Sequence, residues 1–130
     1  AEIIFTRPRL NQIVKNSLPH PVLGIPRVTS IKILGVTINE NLSVSDHVRA
    51  TIGSCAQSLY ALRMLRAHGL DNHSVQIVYN AIVMSKLLYA SPAWYGFTSK
   101  EDRDRIDSFM KKSSKSAFAP PNQTSFAFIV

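Results

Sequence analysis

Residues 75–89 leave a helix almost no polar face, since eleven of the fifteen are Val, Ile, Leu, Met, Ala or Tyr. A helix that is apolar nearly all round belongs in the centre of a bundle, where neighbours on several sides cover it. It is too interrupted to span a membrane. Gln76, Asn80, Ser85, Lys86 and Ser91 break the apolar run, and no stretch reaches the roughly 18 uncharged apolar residues a span requires.

Two further helices flank it. The first is expected to start at Ser43 or Ser45, either of which can cap exposed amides. Val48, Ile52, Cys55, Leu59 and Leu62 then recur at spacings of 4, 3, 4 and 3, which places them on one face. Arg49, Ser54, Gln57, Ser58, Arg63 and Arg66 occupy the other, and Gly69, just past His68, is the stop. The apolar helix starts near Asn72 or Ser74 and runs to about Tyr89, where Ser91-Pro92 breaks or bends it. Trp94, Tyr95 and Phe97 crowd around Gly96 as an aromatic plug over the bundle end. The third helix begins at Thr98 or Ser99, with Ser99 and Asp102 at capping-box spacing. Glu101, Asp102, Asp104 and Asp107 precede Lys111, Lys112 and Lys115, the order the helix dipole favours. Ile106, Phe109, Met110 and Ala117 give a thin apolar stripe, and Pro120-Pro121 ends the helix.

The first forty residues read differently. Residues 2–5 form a short strand that exits at Pro8. Four prolines between 8 and 26 leave a loop, in which residues 22–25 can form part of a hairpin. Residues 28–38, rich in β-branched side chains, are the best strand candidate, and Gly35 inside it marks a bend, a bulge or a close backbone approach. Residues 39–41 make a turn, and residues 126–130 can form a last short strand. The fold class is α+β, mainly α: residues 1–42 a small β element, 43–119 a three-helix bundle, 120–130 an irregular tail.

Fifteen Lys and Arg against eight Asp and Glu give a net charge of +7 and a pI near 9.9. Such a balance favours acidic partners, nucleic acid foremost, although solvated surfaces are basic too. One cysteine, Cys55, excludes an internal disulfide and places the chain in a reducing compartment, intracellular, nuclear or cytoplasmic. No secretory signal opens the sequence. The missing initial Met fits a truncated reading frame or a processed start.

No catalytic constellation emerges. The eight acidic residues include no adjacent Asp pair, and those at the start of the third helix read as a solvated capping turn. His20, His47, His68 and His73 with Cys55 lack zinc-ligand spacing and read as surface or cap histidines. Cys55, on the apolar stripe, reads as a core thiol. Phosphate-cradling glycine motifs are absent. No catalytic residue, metal site, cofactor or small-molecule substrate is expected.

Three ordered segments carry a family resemblance. Ile31-Lys32-Ile33-Leu34-Gly35-Val36-Thr37-Ile38 with Asn39-Glu40-Asn41-Leu42-Ser43, then Asp46-His47-Val48, resembles the region just after the catalytic palm in LINE-type, jockey-like reverse transcriptases of non-LTR retrotransposons. Leu59-Tyr60-Ala61-Leu62-Arg63-Met64-Leu65-Arg66 is similar to that family's first thumb helix. Ser85-Lys86-Leu87-Leu88-Tyr89-Ala90-Ser91-Pro92-Ala93-Trp94 is similar to its Leu-Tyr-Ala-Ser/Ala-Pro-Val/Ala-Trp signature. Ile33 and Val44 stand where the family has an aromatic residue and Trp. Ser113, Ser114 and Ser116 thin the third helix, and residues 122–130 depart from the pattern, as in a decayed or truncated copy.

The resemblance implies a fragment of an RNA-directed DNA polymerase: the last palm strands with a primer-grip hairpin, then a thumb. Leu34, Gly35 and Val36 would form the primer grip. Arg63, Arg66, Lys111, Lys112 and Lys115 would touch the phosphates of an RNA–DNA or DNA duplex without reading sequence, or are solvated helix surface. Trp94 and Tyr95 would stack on bases or pack over the bundle end. The aspartates that hold magnesium in the parent enzyme would lie upstream, with the missing palm and fingers. Two other readings stay open: a small basic nucleic-acid-binding or interaction module reused by the host, and a non-functional pseudogene product.

Overall fold

The computed structural model describes residues 1–7, 16–119 and 125–130. Two strands, β1 (Ser30–Ile33) and β2 (Val36–Asn39), precede the helices. These are α1 (Ser45–Ala67), α2 (Asn72–Val78), α3 (Ser85–Leu88), α4 (Ser91–Trp94) and α5 (Lys100–Lys115). A π-helical segment, Tyr79–Met84, joins α2 to α3 without a break in the helix, and short 3₁₀ turns occupy Tyr95–Phe97 and Phe126–Phe128. The architecture is α+β and mainly helical, as expected.

The strand read from composition over residues 28–38 is a hairpin, the element the resemblance implied there. β1 and β2 are antiparallel, with Ile33 opposite Val36, so Leu34 and Gly35 form a two-residue turn. Both have positive φ, 47° and 86°, the geometry whose twist matches antiparallel strands. Glycine adopts it freely, whereas leucine is strained there and gives no turn signal in the sequence. The strand expected at residues 2–5 reduces to one bridge between Glu2 and Arg27. Its backbone is nevertheless tied: Glu2 N donates to Pro26 O at 2.8 Å, and Thr6 N to Glu40 O at 2.7 Å. The loop expected from Pro8 lies outside the described residues at 8–15. Residues 22–25 make a β-turn, with Gly24 at φ 81° and Ile25 N bonded to Val22 O. The expected turn at 39–41 is present, and Asn39 Oδ1 accepts from Asn41 N and Ser43 N.

α1 buries Val48, Cys55, Leu59 and Leu62 and half-buries Ile52, the stripe read from spacing. Its N-cap is Val44, not a serine, although Ser43 Oγ accepts from Ser45 N at 3.3 Å. Asp71, one residue earlier than expected, caps α2 through Ser74 N.

The apolar helix is not wrapped on all sides. Val75, Tyr79, Val83 and Leu87 are buried, while Ile77, Ile82 and Tyr89 are exposed. A buried residue every fourth position drifts by about 40° per step around an α-helix. The π segment, with its wider i→i+5 turn, offsets that drift in the middle of the run. The helix ends before Ser91, where Ala90 takes φ 51° and Pro92 enters the first turn of α4.

Of the aromatic plug, Trp94 is buried, Tyr95 half-buried and Phe97 exposed. Trp94 packs edge-on against His47 and stacks with Phe126, and its Nε1 donates to Tyr89 O at 2.9 Å. The expected terminal strand is instead the 3₁₀ turn that carries Phe126 into this core. α5 buries Ile106, Phe109, Met110 and Ser113, but Ala117 is exposed in a left-handed conformation past the helix end. The stop expected at Pro120-Pro121 lies outside the described residues.

Candidate nucleic-acid interface

α1 and α5 lie side by side and leave an open groove of about 700 Å³ between them. Ile52, Ala56, Leu59 and Phe109 form its floor. Arg49 and Arg63 rim it from α1, and Arg105 and Lys112 from α5, with Glu101 and Asp104 among them. The Arg105 guanidinium pairs with Glu101, and Arg49 meets Asp46 at 3.7 Å. Both pairs are largely exposed and hold their partners weakly.

A buried junction fixes the two walls. Asp102 is only 1% exposed, so the capping turn is not solvated as the sequence implied. The capping box itself is present, with Ser99 Oγ accepting from Asp102 N at 3.1 Å. Asp102 Oδ2 accepts from Ser99 N at 3.1 Å, from Ser99 Oγ at 2.8 Å and from Ser45 Oγ at 2.7 Å. The last bond joins the start of α5 to the start of α1. Burial pushes the Asp102 carboxyl up, but the hydroxyls of Ser45 and Ser99 and the Ser99 amide outweigh it and hold it below the usual carboxylate range.

Arg63 and Lys112, from helices far apart in sequence, are brought to the same groove. Lys111 and Lys115 are exposed on α5, within about 100° of Lys112 around the helix. Arg66 is turned to structural use: its Nη1 donates to Ser116 O at 2.8 Å, and its guanidinium lies 4.5 Å from the Phe118 ring centroid. Leu34, Gly35 and Val36 lie elsewhere, beside the opposite flank of α1. Leu34 is 86% exposed at the hairpin tip, while Val36 is buried. Tyr89 Oη donates to Leu34 O at 3.1 Å, and a Cβ on Gly35 would meet the Tyr89 ring at 3.2 Å. The close backbone approach read at Gly35 is therefore an approach to Tyr89.

Two groove residues escaped the sequence reading. Arg49 and Arg63 are fourteen residues apart and Arg105 and Lys112 seven, so heptad spacing of cations was the signal available. His47, read as a surface or cap residue, is only 8% exposed, and burial, then the nearby Lys32 charge, lowers its proton affinity. His68 is exposed and caps α1 through Met64 O at 2.7 Å. Cys55 is a core thiol that donates to Val83 O, and burial pushes its pKa up to about 11. Among the described residues no three His, Cys, Asp or Glu side chains are grouped closely enough to hold a metal ion, and no helix is long and apolar enough to cross a membrane.

No protein-family model matches the chain, and no curated protein or solved structure matches it either.

Proposed function

We propose that this chain grips a nucleic-acid duplex through its phosphates, as the thumb-side part of an RNA-directed DNA polymerase of the LINE type. The observation that carries the reading is the groove between α1 and α5, where Arg63 and Lys112 converge with Arg49 and Arg105 on one open face. Cations spread along two parallel helices match the spread of phosphates on a duplex, and they give affinity without sequence preference. The segments that resemble the reverse transcriptases supply the class of duplex, an RNA–DNA hybrid. On this reading the magnesium-holding carboxylates belong to a part of the polymerase outside these residues.

The test is binding of the chain to an RNA–DNA hybrid across a salt series. Binding is expected to weaken steeply with salt, and Arg63→Glu or Lys112→Glu to lower the salt slope by about one each, whatever the duplex sequence. Absence of binding at low salt by the folded chain would reject the reading.

A second reading, a small interaction module that stands alone, is favoured by one observation. The core draws on β2, all three long helical stretches and Phe126 beyond them, so burial does not depend on a neighbouring domain. Cooperative unfolding of the isolated chain is what this reading expects.

A further inference from the structure

On the other flank of α1 lies a second cleft, of about 380 Å³, between the β1–β2 hairpin, α1 and α3. Its polar lining is Lys32, Thr37, His47, Thr51, Ser54, Lys86 and Tyr89, and among the described residues no carboxylate lines it. The ion pairs found among the described residues join Arg27 to Glu2, Arg49 to Asp46 and Arg105 to Glu101. None of them uses either cleft lysine.

Lys86 is held in place without being neutralised. Its Nζ donates to Ser54 Oγ at 3.0 Å and to Ser58 Oγ at 3.1 Å. An ammonium has three protons to give, so a third donor and the full charge remain. Hydroxyl acceptors orient a lysine where a carboxylate would cancel it. Lys32 enters from β1, and its charge is felt at His47 across the cleft. Both cations line one open cleft, with the hydroxyls of Thr51 and Ser54 beside them.

We infer that this cleft is a phosphate-binding site in which Lys32 and Lys86 hold the oxyanion and the hydroxyls of α1 complete its hydrogen bonds. Paired cations with neutral donors, and no anion of their own, suit a group that carries negative charge over several acceptor oxygens. The cleft is larger than one phosphate, and its wall includes the half-exposed ring of Tyr89. An oligonucleotide fits that shape, with a backbone phosphodiester between the lysines and a base against the ring. This last assignment rests on the nucleic-acid reading above. The phosphate chemistry does not.

The test follows backbone amides of the isotope-labelled full chain by NMR in four titrations: inorganic phosphate, sodium chloride at matched ionic strength, a short single-stranded oligonucleotide, and an RNA–DNA hybrid duplex. Phosphate and oligonucleotide are each expected to shift Lys32, Ser54 and Lys86, whereas chloride leaves them in place. Lys86→Met is expected to weaken both about tenfold, while Lys86→Arg retains binding. Lys100→Met, an exposed charge at the start of α5, is expected to change neither. Shifts with phosphate alone would uphold the site and assign it to a free phosphate or phosphorylated small molecule, which overturns the oligonucleotide assignment. If neither ligand moves the cleft residues while a duplex still perturbs Arg63 and Lys112, the inference fails and the function proposed above stands.

Discussion

Replacement of Asp102 tests the claim that one buried carboxylate sets the spacing of the groove walls. Asp102→Ala removes the acceptor of three bonds, all made to Oδ2. The Ser45 bond, at 2.7 Å, has the length of a hydroxyl bonded to an ionised carboxylate, and such bonds contribute about 1.5–3 kcal/mol. Ser99 sits at the surface, where water can replace its partner, so the box adds about 1 kcal/mol. A loss of about 3 kcal/mol is expected. At about 2.1 cal/mol/K per residue, the entropy of unfolding 130 residues converts this to a fall in Tm of about 10 °C. Asp102→Asn is expected to cost only about 1 kcal/mol, because the amide oxygen can occupy the Oδ2 position and only the charge is lost.

The pH dependence separates the two variants further. The folded-state pKa of Asp102 is depressed, so its stabilisation is fully present above the unfolded value of about 3.9 and is lost as pH falls through the folded value. Urea unfolding of the wild type should therefore weaken below about pH 4, and Asp102→Asn should weaken less over that range. A double-mutant cycle with Ser45→Ala isolates the bond between the helices. An Asp102→Ala chain within about 0.5 kcal/mol of wild type, with unaltered acid sensitivity, would refute the account.

Three shorter predictions follow. The Tyr79 hydroxyl is buried beside Ser113, has no hydrogen-bond partner among the described residues, and is pushed up in pKa by that burial. Tyr79→Phe should accordingly raise stability by about 1 kcal/mol in urea unfolding, and a loss of that size would mean the hydroxyl has a partner. Cys55, with its thiol at about 11, should resist alkylation at pH 8 in the folded chain and react on unfolding; labelling at equal rates in both states would contradict its burial. Gly35→Ala should cost about 1–2 kcal/mol, from the left-handed backbone and the 3.2 Å approach to Tyr89, and an unchanged Tm would show that the hairpin tip is free to move.

Periodicity made the helices legible. The stripe from Val48 to Leu62 and the Ser99 capping box each depend on residues within a turn or two of one another, and local chemistry determines them. The hairpin's two-residue turn was not legible from local preference, for the opposite reason. A turn centred on Leu34 violates local preference, and it is held from outside, by the Tyr89 hydroxyl bonded to Leu34 O. The same logic explains Asp102. Its capping role follows from Ser99 three residues earlier, but its burial depends on Ser45, 57 residues away. The π segment also lay beyond the sequence reading. Eleven apolar residues in fifteen conceal which five are buried, and only tertiary packing selects Val75, Tyr79, Val83, Met84 and Leu87.

The candidate surfaces divide along the same line. Arg63 and Lys112 stood out by charge, and their neighbours Arg49 and Arg105 lie at heptad positions on their own helices. Lys32 and Lys86 are separated by a whole helix and share no periodicity, so they line one cleft only because the hairpin folds against α1 and α3. The buried stripe of α1 thus separates two basic faces, with the larger groove on one flank and the smaller cleft on the other. A salt-dependent affinity alone would not distinguish them, since either face loses counterions when phosphate binds. Their neighbours do. Arg105 beside Glu101 and Arg49 beside Asp46 place acids on the groove side, whereas the cleft pairs its two lysines only with hydroxyls, His47 and Tyr89. On the proposed readings the groove therefore suits a broad contact that reads charge averaged over a duplex, and the cleft one phosphate between two lysines.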